Sequence, residues 1–146
     1  MLKSELTHPE ILSLLARCGH GDSFAVVDSN YPAQARRHRD VPLISLNVTH
    51  NVIPTALIAE LVSQSLPIER CTVPVPAKRS GEEARPVHGA IQSAVMKSNP
   101  DAEMSTVTPL EFYSLTSDPN LAFMVVSGER SHYGSVVLTV GYLPET

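Results

Sequence analysis

Apolar residues follow two rhythms along this chain, one with the period of a helix and one in short unbroken runs. The alternation of the two predicts an α/β domain. Ile11, Leu14, Leu15 and Cys18 recur at i, i+3, i+4 and i+7, which is one face of a helix. Thr7-His8-Pro9-Glu10 opens that helix: Thr7 can cap it, Pro9 is tolerated in the first turn, and Glu10 completes a capping box. Gly19 is suited to end it. Phe24-Ala25-Val26-Val27 has no polar interruption, the pattern of a strand buried on both faces. Residues 31–42 read as loop and 42–46 as a second strand. Residues 54–66 have helical spacing through Leu57, Ile58, Leu61 and Val62.

Cys71-Thr72-Val73-Pro74-Val75-Pro76 reads as extended, its prolines suiting a sheet edge or a strand end. Residues 78–85 are polar. A helix is expected over 87–97, a strand over 104–107 and a short helix over 109–115, beginning at Thr108. The clearest strands are 121–126 and 136–140, flanking a tight polar segment at 127–135. Strands alternating with helices imply a single α/β domain over 1–146, with a largely parallel sheet flanked by helices.

Composition narrows the classes of function. At 146 residues the chain suits one domain with a real core. A net charge of −4 argues against a dedicated nucleic-acid binder. The one basic cluster, Arg36-Arg37-His38-Arg39 beside Asp40, is open to reading as a solvated loop face, a subunit contact or an anion site. Cys18 and Cys71 read as small core residues, and two such cysteines fit a reducing compartment better than a disulfide scaffold. No run approaches about 20 apolar residues, and the first residues carry no apolar signal core, so a soluble cytoplasmic protein without a membrane partner is expected.

Candidate chemistry lies in two segments. His20 stands in a glycine-flanked loop, and histidine, with an unperturbed pKa of about 6.5, exchanges protons near neutral pH. Asp28 stands at the exit of a buried strand, where α/β proteins bind ligands. Each has a plainer reading. His20 could interact with the last carbonyls of its helix, and Asp28 could cap a turn through Ser29 or Asn30. The segment Gly128-Glu129-Arg130-Ser131-His132-Tyr133-Gly134-Ser135 can present amides and the Tyr133 hydroxyl to a polar ligand, or form a surface turn whose tyrosine packs flat. The histidines at 8, 20, 38, 50, 88 and 132 show no i, i+4 pairing and no Cys-x-x-Cys partner, so no metal site is expected. Glycine-rich nucleotide loops and a Gly-x-Ser-x-Gly elbow are absent from the sequence.

Gly19-His20-Gly21-Asp22, Asp28-Ser29-Asn30-Tyr31-Pro32-Ala33 and Gly128-Glu129-Arg130 with Tyr133-Gly134-Ser135, in this order, resemble the D-ribose pyranase / L-fucose mutarotase family. Gly21, Tyr31-Pro32-Ala33 and Gly128-Glu129-Arg130 look more like the fucose branch. The resemblance implies a cytoplasmic, cofactor-independent sugar isomerase acting on a free monosaccharide and assembled as a homo-oligomeric ring, often a decamer. His20 matches the family's proton donor, Asp28 a substrate-binding carboxylate, and Tyr133, Gly134 and Ser135 its C-terminal substrate-binding triplet. Two positions depart from the pattern. Ser135 stands where the family usually has asparagine, and Pro109 where it has a histidine or arginine contact. Those departures keep open a second reading, a non-catalytic monosaccharide-binding or accessory protein of sugar uptake. His20 and Asp28 lie eight residues apart across the expected strand, roughly 25 Å if extended. Either the loop at Gly21 folds back, or His20 of one subunit meets Asp28 of another.

Overall fold

The computed structural model describes residues 1–76 and 85–146 of the chain. Of the polar stretch expected at 78–85, only Arg85 falls within them. The elements follow in the order α1 (Pro9–Leu15), β1 (Ser23–Val27), α2 (Ala33–Arg36), β2 (Leu43–Ser45), α3 (Thr55–Ser63), β3 (Ile68–Pro74), α4 (Pro86–Met96), β4 (Glu103–Val107), α5 (Pro109–Thr116), β5 (Met124–Val126) and β6 (Val136–Val140). They build one six-stranded sheet in the order β2-β5-β1-β6-β3-β4. β1, β2 and β5 pair in parallel, as do β3 and β4, while β6 runs antiparallel to both β1 and β3. The sheet is thus mostly parallel, with one reversed strand near its centre.

The unbroken apolar run of β1 follows from burial on two faces. Phe24 and Val26 join a core under α1, α3 and α4, with Ile11, Leu15, Ile58, Val62, Ile91 and Val95. Ala25 and Val27 point the other way, into a second core with Ala33 of α2, Phe112 of α5, Met124 and Val126. With a side-chain period of two, both faces need apolar residues. Phe24 stacks on Phe123 with ring centroids 4.6 Å apart, tying β1 to the start of β5.

Several boundaries differ from the sequence pattern, each for a local reason. His8, not Thr7, caps α1, its Nδ1 accepting from the Ile11 amide at 3.3 Å. α1 closes at Leu15, because the next residues turn through Asp22, whose carboxylate accepts from the Gly19 amide at 2.8 Å. The loop expected at 31–42 contains the single turn α2. β3 lies inside the sheet between β6 and β4, so Pro74 marks a strand end rather than an edge. β5 keeps only three residues, although the Ala122 amide and the Phe123 carbonyl just before it still bond to Ser23 and Ala25 of β1. At Thr108 the expectation holds: its hydroxyl accepts from Glu111 N–H, and Glu111 returns the bond to the Thr108 amide at 2.7 Å. Among the described residues no helix is long and apolar enough to cross a membrane.

Candidate functional site

The carboxyl ends of parallel strands meet the reversed strand β6 at one edge of the molecule, and that junction opens a cavity of about 240 Å³. Crevices outside strand carboxyl ends are where open α/β sheets bind ligands. The volume falls just below the range of about 300–1,000 Å³ usual for drug-sized ligands, so the space suits something smaller. Asp28, the first residue after β1, lines it, with Ser135 just before β6, Pro74 at the end of β3, and Pro109, Phe112 and Tyr113 from α5. Pro109 is there because it starts α5, where a missing amide is harmless.

Asp28 is 5% exposed and held from three sides. The Ser135 hydroxyl donates to Asp28 Oδ2 at 2.6 Å and accepts from the Asp28 amide at 2.9 Å. The Asn30 amide donates to Oδ1 at 3.0 Å. Burial raises the carboxyl above its ordinary pKa, the bonds from Ser135 and the backbone pull it back, and Glu129 nearby pushes it up again. The loop beyond Asp28 is fastened to the one beyond β5: the Ser29 amide and hydroxyl both donate to the Glu129 carbonyl, at 2.8 and 2.7 Å. Tyr31 hydrogen-bonds Thr116 through its hydroxyl, and burial pushes its pKa up to about 12.

The turn carrying Tyr133 is rigid and strained. The Gly134 amide closes it on the Ser131 carbonyl at 3.1 Å, and the Ser131 amide donates to Glu129 Oε1 at 2.9 Å. The left-handed residue is Tyr133, with φ of 63°, a conformation that a bulky side chain adopts only under constraint. Gly128 and Gly134 serve close approach instead. A Cβ on Gly134 would lie 2.7 Å from Glu129 Cγ, and one on Gly128 2.9 Å from the Thr49 carbonyl oxygen. The constraint on Tyr133 comes from His88 on α4, whose Nε2 donates to the Tyr133 carbonyl at 3.0 Å while its Nδ1 accepts from the Arg85 amide at 3.3 Å. Burial first, and Arg85 beside it, lower the pKa of His88, which favours the neutral ring that these bonds require. The Arg85 guanidinium stands 5.1 Å from the Tyr133 ring centroid.

His20 lies elsewhere. The chain turns at Gly21, φ 88°, and the Gly21 amide donates to the Val140 carbonyl at 2.9 Å, at the far end of β6 from Ser135. His20 Nε2 meets Glu69 Oε2 at 3.1 Å, and its ring stands edge-on to Tyr142 at 5.3 Å. A register shift between Ile68 and Arg70 marks an irregularity in β3 at Glu69, the kind of bulge that re-aims a side chain. Both partners are substantially exposed, and a shallow cleft of about 460 Å³ lies beside Glu69 and Tyr142. The five residues of β1 alone put roughly 16 Å between this end and the Asp28 end.

The structure therefore brings Asp28, Tyr133 and Ser135 to one cavity and leaves His20 at the other end of the sheet. Gly134 sits behind the wall, its carbonyl accepting from Thr55 Oγ1 at 2.6 Å. Sequence reasoning missed Tyr31, Tyr113 and His132 as lining residues. Tyr31 was visible only as part of a motif, Tyr113 only as a residue of the helix expected over 109–115, and His132 only within the segment 128–135 and among the unpaired histidines. Arg36 of the basic cluster stacks over Tyr113 at 4.2 Å, while Arg37 donates to the His38, Arg39 and Val41 carbonyls. Among the described residues no group of three or more His, Cys, Asp and Glu side chains is placed to hold a metal ion.

A model of the RbsD / FucU transport protein family matches residues 1–143. Solved structures share the fold along nearly the full length of both chains. RbsD of Bacillus subtilis, in complex with D-ribose, is similar with a TM-score of 0.76 at 19% identity, covering 98% of this chain and 99% of that one. FucU of Bifidobacterium longum gives 0.78 at 18% identity, with 93% and 94% covered. The fucose mutarotase of Streptococcus pneumoniae, in complex with L-fucose, gives 0.74 at 18% identity, with 94% of each chain covered.

Proposed function

The chain belongs to the RbsD / FucU transport protein family, and from that premise we propose that it is a sugar mutarotase interconverting the anomers of a free, fucose-like monosaccharide. The observation that carries the reading is the small cavity at the sheet's carboxyl edge, lined by both Tyr133 and a buried carboxylate, Asp28, that Ser135 holds in place. Carboxylate and phenol are hydrogen-bonding partners for sugar hydroxyls, and the proline and phenyl surfaces of Pro32, Pro109 and Phe112 suit the apolar face of a pyranose.

Anomer exchange opens and recloses the ring. An acid protonates the ring oxygen as its bond to the anomeric carbon breaks, and a base takes the anomeric hydroxyl proton. The balance needs no oxidant and no cofactor. His20 is the acid in this reading. Its Glu69 partner, 3.1 Å away, fixes the ring. Since His20 stands a sheet's length from Asp28 in its own chain, it serves the pocket of a neighbouring subunit in a closed ring, of which a decamer is the form the family resemblance implies. A cytoplasmic location accords with the two free cysteines.

A non-catalytic sugar-binding role is the second reading, favoured by Pro109, which gives the pocket wall no donor, and by Ser135, whose hydroxyl is spent on Asp28. Saturation-transfer NMR across fucose, galactose, ribose and rhamnose separates the two. A mutarotase accelerates exchange between anomers of at least one, fucose or a close relative first. Binding without acceleration leaves the sugar-binding role, and neither binding nor acceleration overturns both.

A further inference from the structure

His132 stands at the tip of the strained turn and lines the same cavity as Asp28 and Tyr133. Most other polar lining groups are already engaged within the chain. Asp28 receives Ser135 and Asn30, the Asn30 amide group donates to the Arg130 carbonyl at 3.2 Å, and the Tyr31 hydroxyl is bonded to Thr116. The His132 imidazole has no hydrogen bond or ion pair with any described residue, and it is exposed toward the cavity mouth. Its position is nevertheless well fixed. Ser131 before it is tied to Glu129, Tyr133 after it is held by His88, and Gly134 closes the turn.

We propose that His132 is the second proton-transfer group of this pocket, a catalytic base supplied by the same chain as Asp28. The proposal rests on the mutarotase reading and assigns the half of the reaction that His20 leaves open. As the bond between the anomeric carbon and the ring oxygen breaks, its electron pair goes to the ring oxygen, which takes a proton from the acid. The anomeric hydroxyl gives its proton to an imidazole nitrogen of His132, and its remaining electrons form the aldehyde carbonyl. Closure reverses each transfer, so protons and electrons balance over the cycle. Asp28 is the poorer candidate for base, since both its oxygens already accept hydrogen bonds, and it serves instead to hold a hydroxyl. The tyrosine hydroxyls at 113 and 133 can donate to the sugar, but a phenol does not accept protons readily near neutral pH.

The test compares the protein with H132Q, which keeps a hydrogen-bonding side chain and loses the nitrogen that can accept a proton near neutral pH. Anomer exchange is followed by saturation-transfer NMR against pH, and binding of the sugar that the wild type exchanges by calorimetry. H132Q is expected to bind that sugar within about threefold of wild type, to lose about 10²–10⁴-fold in kcat, and to lose one limb of the pH profile. Mixed with D28N subunits, H132Q stays inactive, because both lesions fall in one pocket. Exchange by H132Q within a factor of two of wild type overturns the role, as does a loss confined to KM or recovery in the D28N mixture. A wild type that exchanges none of the sugars overturns the mutarotase reading and the base with it, whereas an active wild type with an active H132Q overturns the base alone.

Discussion

The two ends of β1 are built on opposite plans. At the Asp28 end nearly every polar atom is answered inside the chain: Ser135 on the carboxylate and the amide, Ser29 on Glu129, Thr55 on Gly134, His88 on Tyr133. Asp28, Ser135 and Glu129 are buried. At the other end His20 and Glu69 are paired at the surface, with Tyr142 beside them and solvent over all three. An exposed ion pair contributes little to stability, typically about 0–1 kcal/mol, so this end is not organised for holding the fold. The buried end is a small cavity whose carboxylate is fixed from within the chain, and the exposed end is a histidine–carboxylate pair beside a shallow cleft. That division is the one the proposed shared site requires of a single chain.

The sharpest way to break that contrast is to remove His20, the proposed acid. His20→Ala is expected to reduce anomer exchange by about 10²–10⁴-fold while leaving the thermal transition within a degree or two, since the side chain is mostly exposed. Mixing His20→Ala with Asp28→Asn subunits then asks where the halves meet. Recovery of exchange in the mixture is expected, because some interfaces join an intact His20 to an intact Asp28. No recovery after proven subunit mixing would place both residues in one chain's pocket and remove the shared site.

The fold and the site were legible in the sequence to different degrees. The buried strand β1, the start of α5 at Thr108, the α3 stripe and the presence of α4 follow from local rules, which act within a few residues. What escaped depends on partners distant along the chain. The α1 cap, supplied by His8 instead of Thr7, is a local exception, but nothing in Pro74 says whether its strand is central, since that is decided by β4 and β6 pairing on either side. Asp28, Tyr133 and Ser135 were found through motif resemblance, but the bond that makes Ser135 more than a shortened asparagine spans 107 positions. His88 and His132 were invisible for the same reason. A lone histidine declares no role until its neighbours in space are known.

A smaller effect is expected from loosening the buried end. Ser135→Ala removes the hydroxyl that both receives the Asp28 amide and donates to its carboxylate. An unsatisfied buried donor costs about 1–3 kcal/mol, which chemical denaturation would report as a lower midpoint with an unchanged slope. The carboxyl also loses the largest influence holding its pKa down, so it rises further above the ordinary aspartate value. Sugar affinity should then fall off at a higher pH on acidification than in the wild type. A variant as stable as the parent would mean that Ser135 is not the clamp the geometry makes it.

The smallest expected effect concerns His88, which sits behind the pocket and bonds both the turn and the Arg85 amide. Its Nε2 faces the Tyr133 carbonyl, which can only accept, so the proton is on Nε2 and Nδ1 is free to accept from the Arg85 amide. Protonating Nδ1 sets two donors face to face at the start of α4. Burial above all, with Arg85 beside the ring, holds the folded-state pKa of His88 below its unfolded value of about 6.5. In the interval between the two, the unfolded chain binds more protons than the folded one, so stability rises with pH there. The contribution is present in full above the unfolded pKa and is lost as pH falls through that value toward the folded one. His88→Gln keeps an N–H that can reach the Tyr133 carbonyl but does not titrate. Measured by urea unfolding at pH 7.5 and pH 5, the wild type should lose stability on acidification, and His88→Gln should lose less, with the difference confined to that window. Parallel pH profiles would show that the turn carrying Tyr133 does not depend on a neutral His88.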